Sequence, residues 1–233
     1  MKKTHGQMSE SFALSALLTI VGGFLDAYTY ICRGGVFANA QTGNIVLLGL
    51  SVAERRWSTA VRYLLPILSF AVGVILAELI RERYRRMPQS EVGMHWRQIV
   101  ILAEIVLLAM VAFLPQRMNT LVDAVISCVC ALQVHSFRKV RGSAFATTMC
   151  TGNLRSGTEQ LMIWLRSRDA KAGRRAGIYG AILLLFSIGA VLGGISAAKL
   201  GEKSILLCCI LLLVVYAIMF AEEEQGEKRR YRM

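Results

Sequence analysis

Two copies of one tripeptide, Thr42-Gly43-Asn44 and Thr151-Gly152-Asn153, bring together residue types that can bind. Each follows an apolar segment with glycine just upstream, and each opens another apolar helical run, which points to an internal repeat. A threonine at a helix start can cap it, a glycine lets a neighbour approach closely, and an asparagine adds an amide. The free N–H groups and positive dipole end of such a helix favour an anion or a polar solute group. These residues either contact a substrate or merely cap two helices; the sequence leaves both open.

Asp26 is the sharpest single residue. It lies inside an apolar run, where a carboxylate is costly and by default a functional candidate. It could carry a proton, bind a cation, orient the Asn44 amide, or simply bond to the first tripeptide stretch. Counting back from the second tripeptide places His135 opposite Asp26, with Gln133 close by. A carboxylate in one half and an imidazole in the other would suit proton coupling; alternatively His135 sits at an interface near Arg138. Glu104 is mid-span and is read as a relay member or a packing hydrogen bond. Arg155 opposes the dipole of its helix, so it meets an anion or pairs with Glu159.

The elements that must position these residues follow from hydropathy. Of 233 residues, 55% are hydrophobic and 18% charged, and the mean hydropathy is +0.51. Full spans are predicted over 12–31, 58–80, 99–114, 121–137, 176–198 and 204–221. The segment 42–53 is too short to cross a core of about 30 Å and is a half-helix; 151–166 is its amphipathic counterpart. The charged tail after 221 is expected to be mobile. Phe70-Ala71-Val72-Gly73 is echoed by Phe186-Ser187-Ile188-Gly189. The order is therefore span, half-helix, span, span, twice over.

With six spans, the basic clusters at 81–97, 138–141, 166–175 and the C-terminus share the face of Lys2 and Lys3. That gathers roughly 20 of the 27 basic residues on the cytoplasmic side; crossing by both half-helices lowers the count. Three spans per half is an odd number, so the halves insert in opposite directions. Such an inverted repeat, with interrupted short segments at matching places, is the pattern of secondary transporters.

The fold expected is all-α: one polytopic membrane domain over 1–233, with six transmembrane helices, two half-helices and repeat halves at about 10–115 and 119–221. The formal net charge of +12 belongs to loop ends and not to a nucleic-acid surface. The six cysteines form no paired CxxC motifs, so neither a metal site nor disulfides are indicated. HExxH, Walker A and GxSxG motifs are missing, and neither an enzyme nor a cofactor is expected.

The runs Gly23-Phe24-Leu25-Asp26-Ala27-Tyr28, Gly34-Gly35-Val36-Phe37 and Thr42-Gly43-Asn44, then Leu132 to Val140 and Ala146 to Ser156, resemble the YoaK-like family. These are bacterial integral membrane proteins classed as a domain of unknown function. The resemblance covers nearly the whole chain and implies a multi-span protein of the bacterial inner membrane, without supplying a substrate. His135 departs from the Asn or Gln expected there.

The expectation is a small secondary transporter or permease for a small polar or anionic solute or ion, with both termini cytoplasmic. Its site lies between the half-helix starts, at Asp26, Thr42, Gly43, Asn44, Gln133, His135, Thr151, Gly152, Asn153 and Arg155. The alternative is a non-transporting scaffold or partner subunit. The lipid bilayer is the expected partner, and an oligomer is possible.

Overall fold

A computed structural model describes residues 12–86, 95–137, 139–140, 143–144 and 150–230. Lys2 and Lys3, Arg138 and Arg141, and the stretch Phe145 to Met149 lie outside the described residues. Eight α-helices carry the fold: α1 (Phe12–Cys32), α2 (Gln41–Ala53), α3 (Trp57–Arg85), α4 (Trp96–Val111), α5 (Asn119–Ser136), α6 (Cys150–Ser167), α7 (Ala170–Leu200) and α8 (Leu206–Arg230). The only sheet among the described residues is a minimal hairpin, β1 (Lys139–Val140) against β2 (Ser143–Ala144). The predicted element order is seen, with two changes. α7 begins six residues before the expected span, and α8 runs as helix through Arg230 where a mobile tail was expected.

Four helical stretches are long and apolar enough to cross a membrane: Phe12–Cys32, Trp57–Arg85, Gln116–Ser136 and the 52-residue Ala170–Ala221. The last contains α7, a 3-10 turn and most of α8. α4 has 16 residues, a rise of about 24 Å. α2 has 13 and, at about 20 Å, falls short of a hydrocarbon core.

Helix pairing exchanges partners between the two halves of the chain. α1 lies along α7, α3 along α5 and α4 along α8, while α2 follows α3 and α6 follows α7. Three glycines explain how closely α1 meets α7. A Cβ on Gly23 would strike the carbonyl of Phe186, one on Gly189 the backbone of Ile20, and one on Gly193 the Phe24 oxygen at 2.7 Å. Small residues let helix backbones touch, and in lipid van der Waals packing of this kind drives association. On the other pair, Gly73 of α3 meets the Cys128 oxygen and Ala131 Cβ of α5, at 2.5 and 2.8 Å from a Cβ position. The main buried cluster joins α1, α4, α5 and α8 through Leu18, Leu25, Ile101, Leu108, Ile126 and Leu212.

Both half-helices end on the same device. Arg55 after α2 and Arg168 after α6 adopt left-handed backbone, φ 56° and 55°. Non-glycine residues enter that region rarely. Here it closes the helix end, with Arg56 N bonded to Ser51 O at 2.8 Å and Arg168 N to Trp164 O at 2.8 Å, and turns the chain into α3 and α7.

Candidate functional site

Asp26 sits in the second half of α1, 6% exposed. Between α1 and α2 the chain leaves helical geometry and doubles back until Asn39 N donates to Asp26 Oδ1 at 2.6 Å. The amides of Ala38 and Ala40 also turn toward the carboxylate, and Asn39 Nδ2 donates to Gly22 O at 3.1 Å. A carboxylate accepting backbone N–H groups makes strong, charge-assisted bonds. Asp26 thus anchors the re-entrant loop, which was the structural option read from sequence.

The turn before that loop requires glycine. Gly34 has φ +99°, and the Arg62 guanidinium lies where its Cβ would be; Arg62 Nη2 donates to Arg33 O at 2.8 Å. Gly35, at φ +81°, continues the turn.

The start of α2 corrects one expectation. Thr42 is not the N-cap: the helix begins at Gln41, Ala40 holds the cap position, and no side chain caps it there. Asn44 does the equivalent work from the first turn. Its Oδ1 accepts from Phe37 N at 3.0 Å and its Nδ2 donates to Phe37 O at 2.7 Å, while Gln41 Nε2 donates to Ala38 O at 2.8 Å. The planar amide carries its acceptor and its donor on separate atoms and so satisfies both Phe37 backbone groups together. Asn44 is fully buried and bonded to this backbone and Gln41, so Asp26 holds the loop and not the Asn44 amide. Gly43 leaves room for the Phe37 ring, 2.8 Å from a Cβ position. α6 begins at Cys150, so Thr151 is likewise inside the first turn and not the cap. Among the described residues no atom lies within 4 Å of a Cβ on Gly152.

The predicted site residues separate into two groups. Asp26, Asn44, Gln133, His135 and Asn153 are buried, whereas Thr42, Thr151, Gly152 and Arg155 are exposed. Arg155 pairs with Glu159 at 2.9 Å. His135 and Asp26 are not joined: His135 Nε2 meets Glu78 Oε2 of α3 at 2.6 Å, and Glu78 also accepts from Arg81 at 3.1 Å. Gln133 is 1% exposed, and neither side-chain polar atom has a hydrogen-bond partner among the described residues. At the start of α6 the Cys150 thiol lies within electrostatic range of Asp26.

Sequence reasoning passed over several buried polar groups. Arg33 is fully buried, and its guanidinium bonds to Tyr28 Oη at 2.9 Å, Leu114 O at 2.9 Å, Val111 O at 3.0 Å and Asn119 Oδ1 at 3.3 Å. Tyr28 Oη donates on to Glu202 O at 3.0 Å. A cation at the C-terminal carbonyls of α4 is favourably placed, and it ties α1 to α4, α5 and the α7–α8 turn. Asp123 of α5 is buried without a hydrogen-bond partner among the described residues, within electrostatic range of Arg62 and Arg33. An arginine next to two glycines at a helix end was the available signal for Arg33; nothing local marks its distant partners.

Four helical stretches long and apolar enough to cross a bilayer define a multi-span α-helical membrane protein. A family model described as a protein of unknown function, DUF1275, matches residues 14–218, and the chain belongs to that family. It is also similar to the UPF0700 transmembrane protein YoaK of Bacillus subtilis (strain 168), 25% identical over 184 residues covering 77% of this chain and 80% of that protein. No solved structure matches.

Proposed function

We propose that the chain is a small secondary transporter or permease of the bacterial inner membrane. Its six spans form an inverted repeat with both termini cytoplasmic, and its solute is small and polar. The reading rests on one observation: the non-helical loop before α2 is held against a buried carboxylate inside an apolar helix. At membrane depth such backbone is tolerated where protein buries it or where it lines a wet passage. Ala40 and Thr42, and Thr151 and Gly152 opposite, are exposed, which favours a passage. The exchanged pairing of α1 with α7 and α3 with α5 is what two oppositely inserted halves would give. Because Asp26 already faces the start of α2, a second anion there would be repelled, so the solute favoured is neutral or cationic in the part that enters.

Single cysteines at Thr42 and at Thr151, in a cysteine-free chain, test this with a membrane-impermeant maleimide. In right-side-out and inside-out vesicles, a passage predicts that both positions are labelled, each faster from a different side. If neither reacts from either side, the transporter reading fails.

The scaffold reading has one observation in its favour. α2 and α6 leave apolar residues exposed, Ile45, Val46 and Leu50 on one, Leu154, Leu161 and Leu165 on the other. Protection of Thr42 and Thr151 together with a stable oligomer in mild detergent would support it.

A further inference from the structure

Glu104 is the one buried carboxylate among the described residues that neither the loop anchor nor the seams employ. It lies mid-way along α4, 0% exposed, and neither oxygen has a hydrogen-bond partner among the described residues. One helical turn to either side are Ile101 and Leu108, both fully buried. An unpaired ionised carboxylate in such a place costs several kcal/mol, so a positive charge must accompany it. No basic side chain among the described residues bonds to Glu104, since both of its oxygens are without a partner. Arg33 is spent on carbonyls, and Arg62 on Arg33 O.

The neighbouring polar groups converge. Cys130 of α5, fully buried, lies within electrostatic range of both Asp26 and Glu104 and close to the Asn39 side chain. Asn39 is 9% exposed, and its Oδ1 has no partner among the described residues. It is an independent acceptor on the loop that Asp26 holds. Other titratable groups facing this region are thiols: Cys208 and Cys209 from α8, Cys209 donating to Ile105 O at 3.7 Å, and Cys150 from α6. α7 brings only the stretch around Gly189 and Gly193 against α1. On α3, Glu78 and Arg81 are engaged with His135 and each other, while Asp123 of α5 faces Arg62 and Arg33.

We propose that Asp26 and Glu104, with Asn39 and Cys130 between them, bind a monovalent cation, a proton or an alkali ion, that is coupled to the solute. The coupling rests on the transporter reading; the binding does not. Two carboxylates and an amide oxygen around one thiol present acceptors to a cation and nothing to an anion. An ionisable group facing the interior of a helix bundle is the usual place for such a relay.

Dicyclohexylcarbodiimide attacks protonated carboxyls in apolar surroundings and tests this on the unaltered full chain in proteoliposomes. Glu104 is expected to be modified, as read by peptide mass mapping. If the cation is an alkali ion, Na⁺ or K⁺ replacing N-methylglucamine at constant ionic strength slows the modification several-fold. If it is a proton, the rate ignores alkali ions and falls several-fold as pH rises. In either case Asp26→Asn changes the dependence, and Glu104→Asp retains a modifiable site that Glu104→Gln loses. No modification of Glu104 at any pH overturns the proposal, as does a rate that cations, pH and Asp26→Asn all leave alone. A protected Glu104 in a protein whose Thr42 and Thr151 positions resist the maleimide would keep the cation site and remove the passage.

Discussion

The α1–α7 and α3–α5 seams each pair helices distant in sequence but are built from different materials. α1 meets α7 backbone to backbone at Gly23, Gly189 and Gly193, and no ion pair joins them among the described residues. α3 meets α5 closely at Gly73, with polar groups at both ends: Arg62 within electrostatic range of Asp123, and Glu78 bonded to His135. A backbone seam has one packed state, because sliding either helix drives a carbonyl into the other. A seam held partly by side chains can exchange partners without steric collision. The comparison casts α1–α7 as the fixed frame and α3–α5 as the adjustable one.

The largest effect should come from breaking the fixed frame. Gly23→Leu places a side chain where the Phe186 carbonyl sits, and neither backbone can retreat without parting the helices. Overpacking usually costs about 1–3 kcal/mol, and a clash with backbone belongs at or above the top of that range. Little monodisperse protein should survive detergent extraction. Gly180→Leu, in the same α7 but with no atom within 4 Å of its Cβ position, should behave as the parent. Equal behaviour of the two variants would remove the frame.

How much of this was readable in advance depended on range. Helix order, the two short helices and the buried Asp26 follow from hydropathy and the cost of charge in lipid, both local properties. The echoed stretches ending in Gly73 and Gly189 are visible in sequence too, and both glycines sit at close helix contacts. Partners were not legible. His135 was set against Asp26 by register, but register cannot say which neighbouring helix presents Glu78. Thr42 was read as a cap because threonine commonly caps; the amide of Asn44 won, since it satisfies two Phe37 groups at once. Arg33 and Asp123 needed the fold, because their partners lie on other helices.

The adjustable seam can be tested by a double-mutant cycle on Glu78→Gln and His135→Asn. Contacting pairs show coupling of about 0.5–3 kcal/mol. The Glu78 side chain is 41% exposed, so solvent screening should hold the value near the bottom of that range. Each single variant should fold, and thermal unfolding in detergent should give a coupling of a few tenths to about 1 kcal/mol. Combining Gly193→Ala with Glu78→Gln should be additive, because those residues lie on different seams. Coupling between the seams equal to that within the pair would mean that the two do not act as separate units.

The smallest effect lies where α4 buttresses the adjustable seam. His95 caps α4, its Nδ1 accepting from Arg97 N at 3.3 Å, its ring near Tyr84 of α3. Arg97 Nε in turn donates to Ser136 O of α5 at 2.7 Å. Burial, helped by the Arg97 charge, lowers the His95 imidazole from 6.5 to about 4. The folded protein therefore binds fewer protons there than the unfolded chain between pH 6.5 and 4, and stability rises with pH across that window. The contribution is complete above the unfolded value and is lost as pH falls toward 4, where protonation also removes the acceptor that caps the helix. His95→Asn keeps a capping oxygen that does not titrate. It should match the parent at neutral pH and lose less stability on acidification. An acid dependence unchanged by His95→Asn would show that the α4 cap is not the acid-sensitive point.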